Sequence, residues 1–214
     1  MLLSPPMQHD VLNSAGTHLP GGTGVMAIFF RYTFYISLLL APLLAHAETK
    51  IADIELADSY QVGQQSLLLN GAGIRSKLFI KIYVGALYLV KTSKSPEDIL
   101  AATDAKSMQM TMLYKEVEAE KITQGWDDGF KANLTKSELK SLEGRLKKFN
   151  ALFPALRAGD IVRMDYLPDT GTRLSINDKQ LGGIEGADFF TALLKVWIGE
   201  HPADKNLKKG LLGG

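Results

Sequence analysis

A single arginine stands out among the residues that could bind a charged ligand. In the stretch NGAGIRSKLFIKIYVGALYLV, Arg75 precedes a largely apolar run in which Lys77 and Lys81 are the only other charges. A guanidinium group is planar, keeps its charge in partly apolar surroundings and donates two parallel hydrogen bonds to an oxyanion. Arg75 therefore has two interpretations: it binds an anionic ligand, or it pairs with a carboxylate of the preceding segment such as Asp53 or Glu55.

Composition excludes most other catalytic and metal-binding chemistry. The chain has no cysteine and four histidines. Three of these lie before a predicted cleavage site: His9, His18 and His46. Only His201 remains, so a multi-histidine metal site cannot form and a catalytic triad would have to use this one residue. Acidic residues that could hold a metal show no metal-binding spacing: Asp58, Asp127 and Asp128. We predict no metal and no cofactor.

The first part of the chain predicts export. From Met26 it runs MAIFFRYTFYISLLLAPLLAHAETK, in which an arginine and an apolar stretch precede the small-residue pattern that signal peptidase cleaves. We predict a signal peptide over residues 26–47, cleaved after Ala47, and a periplasmic mature protein. Residues 1–25 are interpreted as a disordered, non-native upstream extension. The alternative is a membrane anchor, but the apolar stretch is shorter than the ~20 residues of a spanning helix, so we expect no stable membrane span after cleavage.

The remaining residues, 48–214, have the composition of one globular domain. The whole chain is 46% hydrophobic and 22% charged, with a formal net charge of +1 and with its lysines and arginines scattered. It therefore lacks the basic stripe of a nucleic-acid-binding protein. We predict a single domain for which nucleic acid is not a partner.

Hydrophobic periodicity predicts strands in the first half of this domain. Segments KIADIEL and QSLLLN predict a hairpin around Val62 and Gly63. In KLFIKIYVGALYL, Leu78 and Ile80 begin an alternation that predicts one long strand with apolar side chains on both faces, and Gly85 indicates a bulge. A further strand, MQMTMLY, places four side chains on one face: Met108, Met110, Met112 and Tyr114.

Helices follow, interrupted by two more strands. SPEDILAA predicts a short helix with Ser95 as its N-cap, and two longer helices follow, the second of which opens with a capping box at Thr135 and ends at Pro154. DIVRMDYLPDTGTRLSIN predicts two strands, with Arg163 and Asp165 facing out, and GADFFTALLKVWIGEHP a closing helix. Together these elements predict an α+β fold, an antiparallel sheet of about six to seven strands with helices packed on one face.

The motifs GAGIR…KLFIKIYVGALYL and GADFFTALLKVWIG, with the helical middle between them, resemble the chalcone isomerase-like family. The resemblance is to its bacterial exported branch, non-catalytic relatives of plant chalcone isomerases and fatty-acid-binding proteins, and it spans nearly all of residues 48–214. It implies the chalcone isomerase-like fold, with a ligand cleft between the sheet and the helices.

The resemblance also implies a role for Arg75. In plant chalcone isomerases an arginine at this motif holds the phenolate oxygen of the substrate. In related plastid proteins the same arginine, together with a tyrosine, holds a fatty-acid carboxylate. Carried over to this chain, Arg75 binds the ligand, and Tyr83, Tyr88 and Tyr114 are the candidate tyrosines. The alternative for these tyrosines is ordinary packing in strands.

Enzymatic members of the family differ from this chain at their catalytic positions. They carry a tyrosine and an asparagine flanking the segment that reads EAEKITQG here, where Glu118 and Gly125 stand. They also carry a threonine on the strand after the arginine, where Tyr83 or a neighbour stands. Gly125 has no amide to orient a substrate, and an ionised Glu118 repels a phenolate. We therefore expect no chalcone cyclisation.

The function predicted from these residues is non-catalytic. We expect a periplasmic binding protein whose cleft between sheet and helices takes a small amphipathic anion, either a fatty acid or an aromatic acid. Two alternatives stay open. One is an isomerase or lyase of another substrate, using Arg75 and a tyrosine, and the other is a structural or assembly partner without a small ligand.

Overall fold

The computed structural model describes residues 49–214, and the predicted upstream extension and signal peptide lie outside this range. The strands are β1 (Thr49–Ile51), β2 (Ile54–Leu56), β3 (Ser59–Val62), β4 (Gln65–Lys77), β5 (Ile80–Leu89), β6 (Lys106–Met112), β7 (Glu116–Val117), β8 (Leu156–Arg157), β9 (Ile161–Leu167), β10 (Gly171–Ile176) and β11 (Lys179–Ile184). The helices are α1 (Pro96–Ala101), α2 (Ala119–Asn133), α3 (Lys136–Asn150), α4 (Ala187–Ile198) and α5 (Lys205–Leu211).

A seven-stranded antiparallel sheet organises the domain, in the order β11-β10-β9-β6-β5-β4-β3. The short strands form two further antiparallel pairs, β1 with β2 and β7 with β8. Each of the helices α1 to α5 contributes buried side chains to one apolar core on one face of the large sheet. The predicted α+β class, the number of strands and the single helical face are therefore confirmed.

The core beneath the helices follows from alternation along the strands. Met108, Met110 and Met112 of β6 are all buried on this face, as their spacing predicts. They meet the apolar stripes of α2, α3 and α4, where the rings of Trp126 and Trp197 pack edge to face with centroids 5.5 Å apart. Such aromatic contacts fix the helices over the strands, so this core determines where α2 and α4 stand relative to β5 and β6.

The opposite face of the sheet carries a smaller apolar cluster, to which β1 and β2 contribute, and a polar network. Asp165 of β9, predicted to face outward, lies on this side of the sheet but is only 1% exposed. Its carboxylate accepts hydrogen bonds from Ser107 Oγ at 2.7 Å and from the Arg173 guanidinium at 2.9 Å. A buried carboxylate needs such partners. The side of β9 that was predicted to face solvent is therefore partly buried.

The strand predicted over KLFIKIYVGALYL is interrupted. β4 ends at Lys77, the chain turns at Leu78 and Phe79, and β5 begins at Ile80. Both turn residues have positive φ angles, 48° and 69°, as a two-residue type I′ turn requires. The prediction of one continuous strand is therefore wrong, because its alternating pattern comes from two strands joined by a tight turn.

The leading hairpin also differs from the prediction. QSLLLN belongs to β4 and pairs with β3 across the turn that follows Val62. KIADIEL forms a separate hairpin, β1 with β2, which turns at Ala52 and Asp53. The bulge predicted at Gly85 is wrong, because β4 and β5 pair regularly there and shift register only outside residues 71–75 of β4.

The helix ends follow local capping chemistry. The Ser95 side chain accepts a hydrogen bond from the backbone N–H of Asp98 at the start of α1, and Thr135 and Glu138 form a capping box at the start of α3, both as predicted. Helix α5 was not predicted from the sequence; Asp204 is its N-cap. Among the helices described between residues 49 and 214, none is both long and apolar enough to cross a membrane.

Candidate functional site

Arg75 lies on β4, on the face that meets the helices. Alternation places Gly71, Gly73 and Arg75 on the same side of this strand, and the two glycines leave room for α5. A Cβ atom at Gly71 would lie 2.2 Å from the carbonyl oxygen of Gly210, and one at Gly73 would lie 3.4 Å from Leu207. The glycines of the GAGIR motif therefore allow α5 to pack directly on β4 beside Arg75.

Arg75 lines a small pocket between strands β4 to β6 and helix α2. Its volume is about 60 Å³, which corresponds to about two water molecules at roughly 30 Å³ each. Among residues 49–214, the lining contains two cations, Arg75 and Lys121, and no carboxylate. The pocket is otherwise mainly apolar, with these residues in its wall: Tyr83, Met110, Met112, Ile122, Gly125 and Trp126. The site therefore combines an apolar wall with positive charge.

Within residues 49–214, the Arg75 guanidinium forms no ion pair. Its Nε atom is buried and has no hydrogen-bond partner in this part of the chain. The Cζ atom lies 5.8 Å from the centre of the Tyr83 ring, a cation–π contact. Among the described residues, the alternative pairing of Arg75 with Asp53 or Glu55 is therefore not formed, and Asp53 instead pairs with Lys50 at 3.8 Å on the surface.

Tyr83 stands opposite Arg75 on the neighbouring strand β5. The side chain is buried, and its hydroxyl accepts a 2.8 Å hydrogen bond from Trp197 Nε1 of α4. Burial raises the pKa of Tyr83, while the positive charge of Arg75 opposes that rise. Tyr83 is thus a neutral hydroxyl group held beside the guanidinium, and the structure brings together these two residues of the predicted site.

Trp126 of α2 is a second buried donor in this pocket, and it was not among the residues predicted for the site. Its indole Nε1 is buried and has no hydrogen-bond partner within residues 49–214, although most buried indole N–H groups find one. Ile122, Gly125 and Trp126 follow helical spacing and share one face of α2, which lines the pocket. Gly125 was the sequence feature that could have indicated this pocket, because a glycine within a helix leaves the wall open beside the Trp126 indole.

The carboxylate of Asp204, at the start of α5, interacts electrostatically with Arg75. Its oxygens accept hydrogen bonds from the backbone N–H groups of Ser76 at 3.0 Å, Asn206 at 2.8 Å and Leu207 at 3.0 Å. Burial alone would raise the pKa of Asp204, but these N–H groups, with a contribution from Arg75, lower it. Asp204 balances part of the positive charge, yet its oxygens are engaged by the backbone rather than by Arg75 Nε.

The other two predicted tyrosines do not meet Arg75. Tyr88 follows Tyr83 by five positions along β5, an odd offset, and lies in the cluster on the opposite face of the sheet. Its ring packs against Tyr60 with centroids 5.9 Å apart, and burial raises the pKa of Tyr88 to about 12. Tyr114 follows the end of β6, is 42% exposed and is not in the pocket wall.

Two larger depressions lie elsewhere on the domain. One, of about 290 Å³, includes Lys106, whose ammonium donates to the Ala102 carbonyl at the end of α1 and stands 5.1 Å from the Tyr166 ring centre. The other, of about 610 Å³, is an open groove between α2 and α3 lined by lysines and acids. Lys106 already has partners, Lys91 in the same depression is exposed, and neither wall contains an unpartnered buried donor among the described residues. The small pocket at Arg75 is therefore the better candidate site.

No group of three or more His, Asp or Glu side chains in the described range 49–214 is placed to hold a metal ion. Glu118, the predicted departure from the enzymatic pattern, is the N-cap residue of α2 and is exposed. Gly125 lines the pocket, and a Cβ atom there would meet no atom within 4 Å. The position that an amide would occupy in the enzymatic pattern is thus open space here.

Comparison with known proteins identifies this architecture. A family model described as chalcone isomerase-like matches residues 48–213. Among solved structures, a fatty-acid binding protein from Arabidopsis thaliana is similar, with a TM-score of 0.60 and 15% sequence identity, covering 77% of this chain and 95% of that chain. At this identity the likeness shows the fold alone. A search of curated proteins found no match.

Proposed function

This chain belongs to the chalcone isomerase-like family, and from that premise we propose that it is a non-catalytic binding protein for a small amphipathic anion. One observation carries the proposal: Arg75 Nε and Trp126 Nε1 line the same pocket, and both are buried without a hydrogen-bond partner in the described range. A buried donor left unpaired costs about 1–3 kcal/mol. An acceptor-only group such as a carboxylate removes that cost for both donors at once.

The charge of the wall favours an anion. In the described part of the chain, Arg75 and Lys121 are its two cations and no carboxylate lines it. Hydrogen bonds between a guanidinium and a carboxylate are charge-assisted and are roughly twice as strong as neutral ones. Tyr83 adds a neutral hydroxyl beside Arg75. An uncharged ligand of the same shape would leave the guanidinium with only the partial counter-charge of Asp204, so the proposed site selects an acid over the corresponding alcohol.

The apolar part of the ligand needs more space than the pocket now offers. A volume of about 60 Å³ accommodates a head group, whereas pockets for drug-sized ligands measure about 300–1,000 Å³. Met110 and Met112 form part of the wall, and methionine side chains adapt readily because they are unbranched and flexible. We therefore place the tail between the sheet and α2, where these methionines and Ile122 would move aside.

A fatty acid or an aromatic acid fits this arrangement. The similarity to a fatty-acid binding protein supports a fatty acid, and the ring-lined wall around Trp126 is equally suited to an aromatic acid. The isomerase or lyase alternative would use Tyr83 as a proton donor. Burial raises the pKa of Tyr83 and so makes it a poorer acid at neutral pH, which favours binding over catalysis.

Isothermal titration calorimetry with decanoate, cinnamate and 1-decanol tests this function. We expect one of the two acids to bind, and Arg75→Ala to weaken its binding by roughly 2–4 kcal/mol because a charge-assisted pair is lost. Arg75→Lys should recover part of the affinity, since the charge returns without the planar fork. Arg157→Ala, which removes an exposed arginine paired with Glu116 outside the pocket, is the matched control and should not change binding.

Two results would refute the assignment. The first is equal affinity of the acid for the wild type and for Arg75→Ala. The second is equal affinity of decanoate and 1-decanol for the wild type, because the proposed site distinguishes them by charge. Turnover of a chalcone that is lost in Arg75→Ala would instead establish catalysis and would contradict the expectation of no chalcone cyclisation.

We also propose that the protein acts in the periplasm, as a member of the exported branch of the family. The support is the order of arginine, apolar stretch and Ala-His-Ala in residues 26–47. N-terminal sequencing of the protein from its own cells should begin at Glu48. A mature chain that begins near Met1 or Met26 would contradict export by this signal.

A further inference from the structure

The turn between β4 and β5 exposes an unusual set of apolar side chains. We name residues 77–81, Lys-Leu-Phe-Ile-Lys, the hairpin tip. Leu78 is 83% exposed, Phe79 is fully exposed and Ile80 is 48% exposed. Of the six large apolar side chains that are exposed within residues 49–214, these three and Tyr114 lie at this end of the hairpin. Clustered exposure of this kind indicates an interaction site rather than chance.

The backbone of the hairpin tip is also strained. Leu78 and Phe79 have φ angles of 48° and 69°, a region that is unfavourable for residues with bulky side chains. Two other turns in the described chain have the same pair of positive angles, and they use Ala52-Asp53 and Asn177-Asp178. Three of these four positions hold Asn or Asp, which tolerate this geometry. Neither packing nor turn chemistry explains Leu-Phe here, since both side chains point into solvent.

The hairpin tip projects beyond its neighbours and carries positive charge. The pairing of β5 with β6 begins only at Tyr83, so residues 77–81 extend past the edge of the sheet. Lys77 and Lys81 flank the three apolar side chains, both are exposed, and the hairpin tip contains no acid. The exposed Tyr114 lies beside the base of the hairpin tip, where the backbone N–H of Tyr114 donates to the Ile82 carbonyl at 3.1 Å.

We propose that the hairpin tip docks on an anionic lipid bilayer, with Leu78, Phe79 and Ile80 inserted among the acyl chains and with Lys77 and Lys81 at the head groups. Apolar side chains are favourable in the hydrocarbon region, lysine extends to the interface, and cations near an anionic leaflet gain electrostatic attraction. A few inserted residues suffice for this partner. A stable protein interface needs about 800 Å² per partner, supplied by about 20–30 residues, which a projecting five-residue turn does not provide.

Docking would bring the Arg75 pocket close to the membrane. Arg75 lies near the end of β4, three residues before Leu78 along the chain, which corresponds to about 10 Å at about 3.3 Å per residue. An amphipathic acid leaving the bilayer would thus meet the pocket at the membrane surface. The docking itself does not depend on which ligand the pocket binds.

Co-sedimentation with vesicles tests the docking. The probes are vesicles of phosphatidylcholine alone and of equimolar phosphatidylcholine and phosphatidylglycerol. We expect the mature protein to bind the phosphatidylglycerol vesicles, and added salt to weaken this binding because the lysine contribution is screened. The double substitution Leu78→Asn and Phe79→Gly should reduce binding at least about tenfold, since two apolar side chains no longer leave water.

This double variant cannot lose binding simply through misfolding. Asn-Gly is the preferred pair for a type I′ turn, so its melting temperature should equal or exceed that of the wild type. Lys77→Gln with Lys81→Gln should abolish the preference for phosphatidylglycerol. Leu68→Asn removes an exposed leucine near the other end of the hairpin and is the matched control, with binding unchanged.

Two outcomes would overturn the proposal. One is vesicle binding that is absent in the wild type or undiminished in the Asn-Gly variant. The other is self-association in sedimentation velocity without lipid that the Asn-Gly variant abolishes, which would make the hairpin tip a contact between protein molecules. Calorimetric titration of decanoate without vesicles should be the same for the wild type and the Asn-Gly variant, so this test is separate from that of the pocket.

Discussion

The ligand-free stability of Arg75→Met distinguishes a binding arginine from a scaffold arginine. In the folded protein Arg75 has a cation–π contact with Tyr83 and a buried Nε without a partner among the described residues. Methionine keeps most of the apolar stem, so the substitution loses a contact of about 0.5–2 kcal/mol. It also removes an unpaired donor that costs about 1–3 kcal/mol. These effects oppose each other, and we expect the free energy of unfolding to change by less than about 1 kcal/mol.

Arg173→Met is the matched control for this prediction. Arg173 donates at 2.9 Å to Asp165, whose side chain is 2% exposed. Its loss strands a buried carboxylate, a change that typically costs about 3–5 kcal/mol. In the variant, Ser107 Oγ and the Tyr60 hydroxyl still donate hydrogen bonds to Asp165, at 2.7 and 3.4 Å in the wild type. We therefore expect a loss of about 2–4 kcal/mol, somewhat below that range.

Urea denaturation of both variants, followed by circular dichroism without ligand, measures the two effects on one scale. Arg173→Met should unfold at a clearly lower urea concentration, and Arg75→Met close to the wild type. If Arg75→Met loses as much stability as Arg173→Met, Arg75 is a scaffold residue. The interpretation of its unpartnered donor as a ligand site would then be refuted.

Two further substitutions test the packing that positions the site. Gly71→Ala should destabilise by at least about 1–3 kcal/mol, because its Cβ atom would lie 2.2 Å from the Gly210 carbonyl and displace α5; Gly144→Ala, in an exposed helix position with no atom within 4 Å, should stabilise by about 1 kcal/mol. Thermal unfolding decides both, and equal effects would contradict the packing of α5. Tyr88 has a pKa raised to about 12 from 10.0 by burial, so its contribution to stability is complete below pH 10 and is lost as pH rises through the folded value near 12. Unfolding followed across that range should show a shallower decline for Tyr88→Phe, and an identical decline would mean that Tyr88 ionises without unfolding.

Local signals in the sequence predicted much of this fold. The N-cap at Ser95 and the capping box at Thr135 depend on hydrogen bonds between near neighbours, so residue types alone specify them. The buried methionines of β6 follow from strict alternation. The same alternation could have excluded Tyr88 from the site, since it and Tyr83 are separated by an odd number of positions on β5.

Other features were not predictable because they depend on distant parts of the chain or contradict local preference. Leu78 and Phe79 form a turn with angles that their side chains disfavour, so the pattern favoured a strand. Asp165 is buried because partners from other strands surround it. Spacing indicates that Trp126 is buried, but whether its N–H group meets an acceptor is decided only when α2 has packed on the sheet.

The central claim is that an anion binds between Arg75 and Trp126, and the indole N–H resonances test it most directly. The chain has two tryptophans, and Trp197 Nε1 already donates to Tyr83 whereas Trp126 Nε1 has no partner in the described range. Titration of decanoate or cinnamate into nitrogen-15-labelled protein, with Trp126→Phe for assignment, should move the Trp126 N–H proton strongly downfield to saturation and move Trp197 less. Calorimetric binding of the acid with an unmoved Trp126 resonance would contradict the account and place the ligand elsewhere.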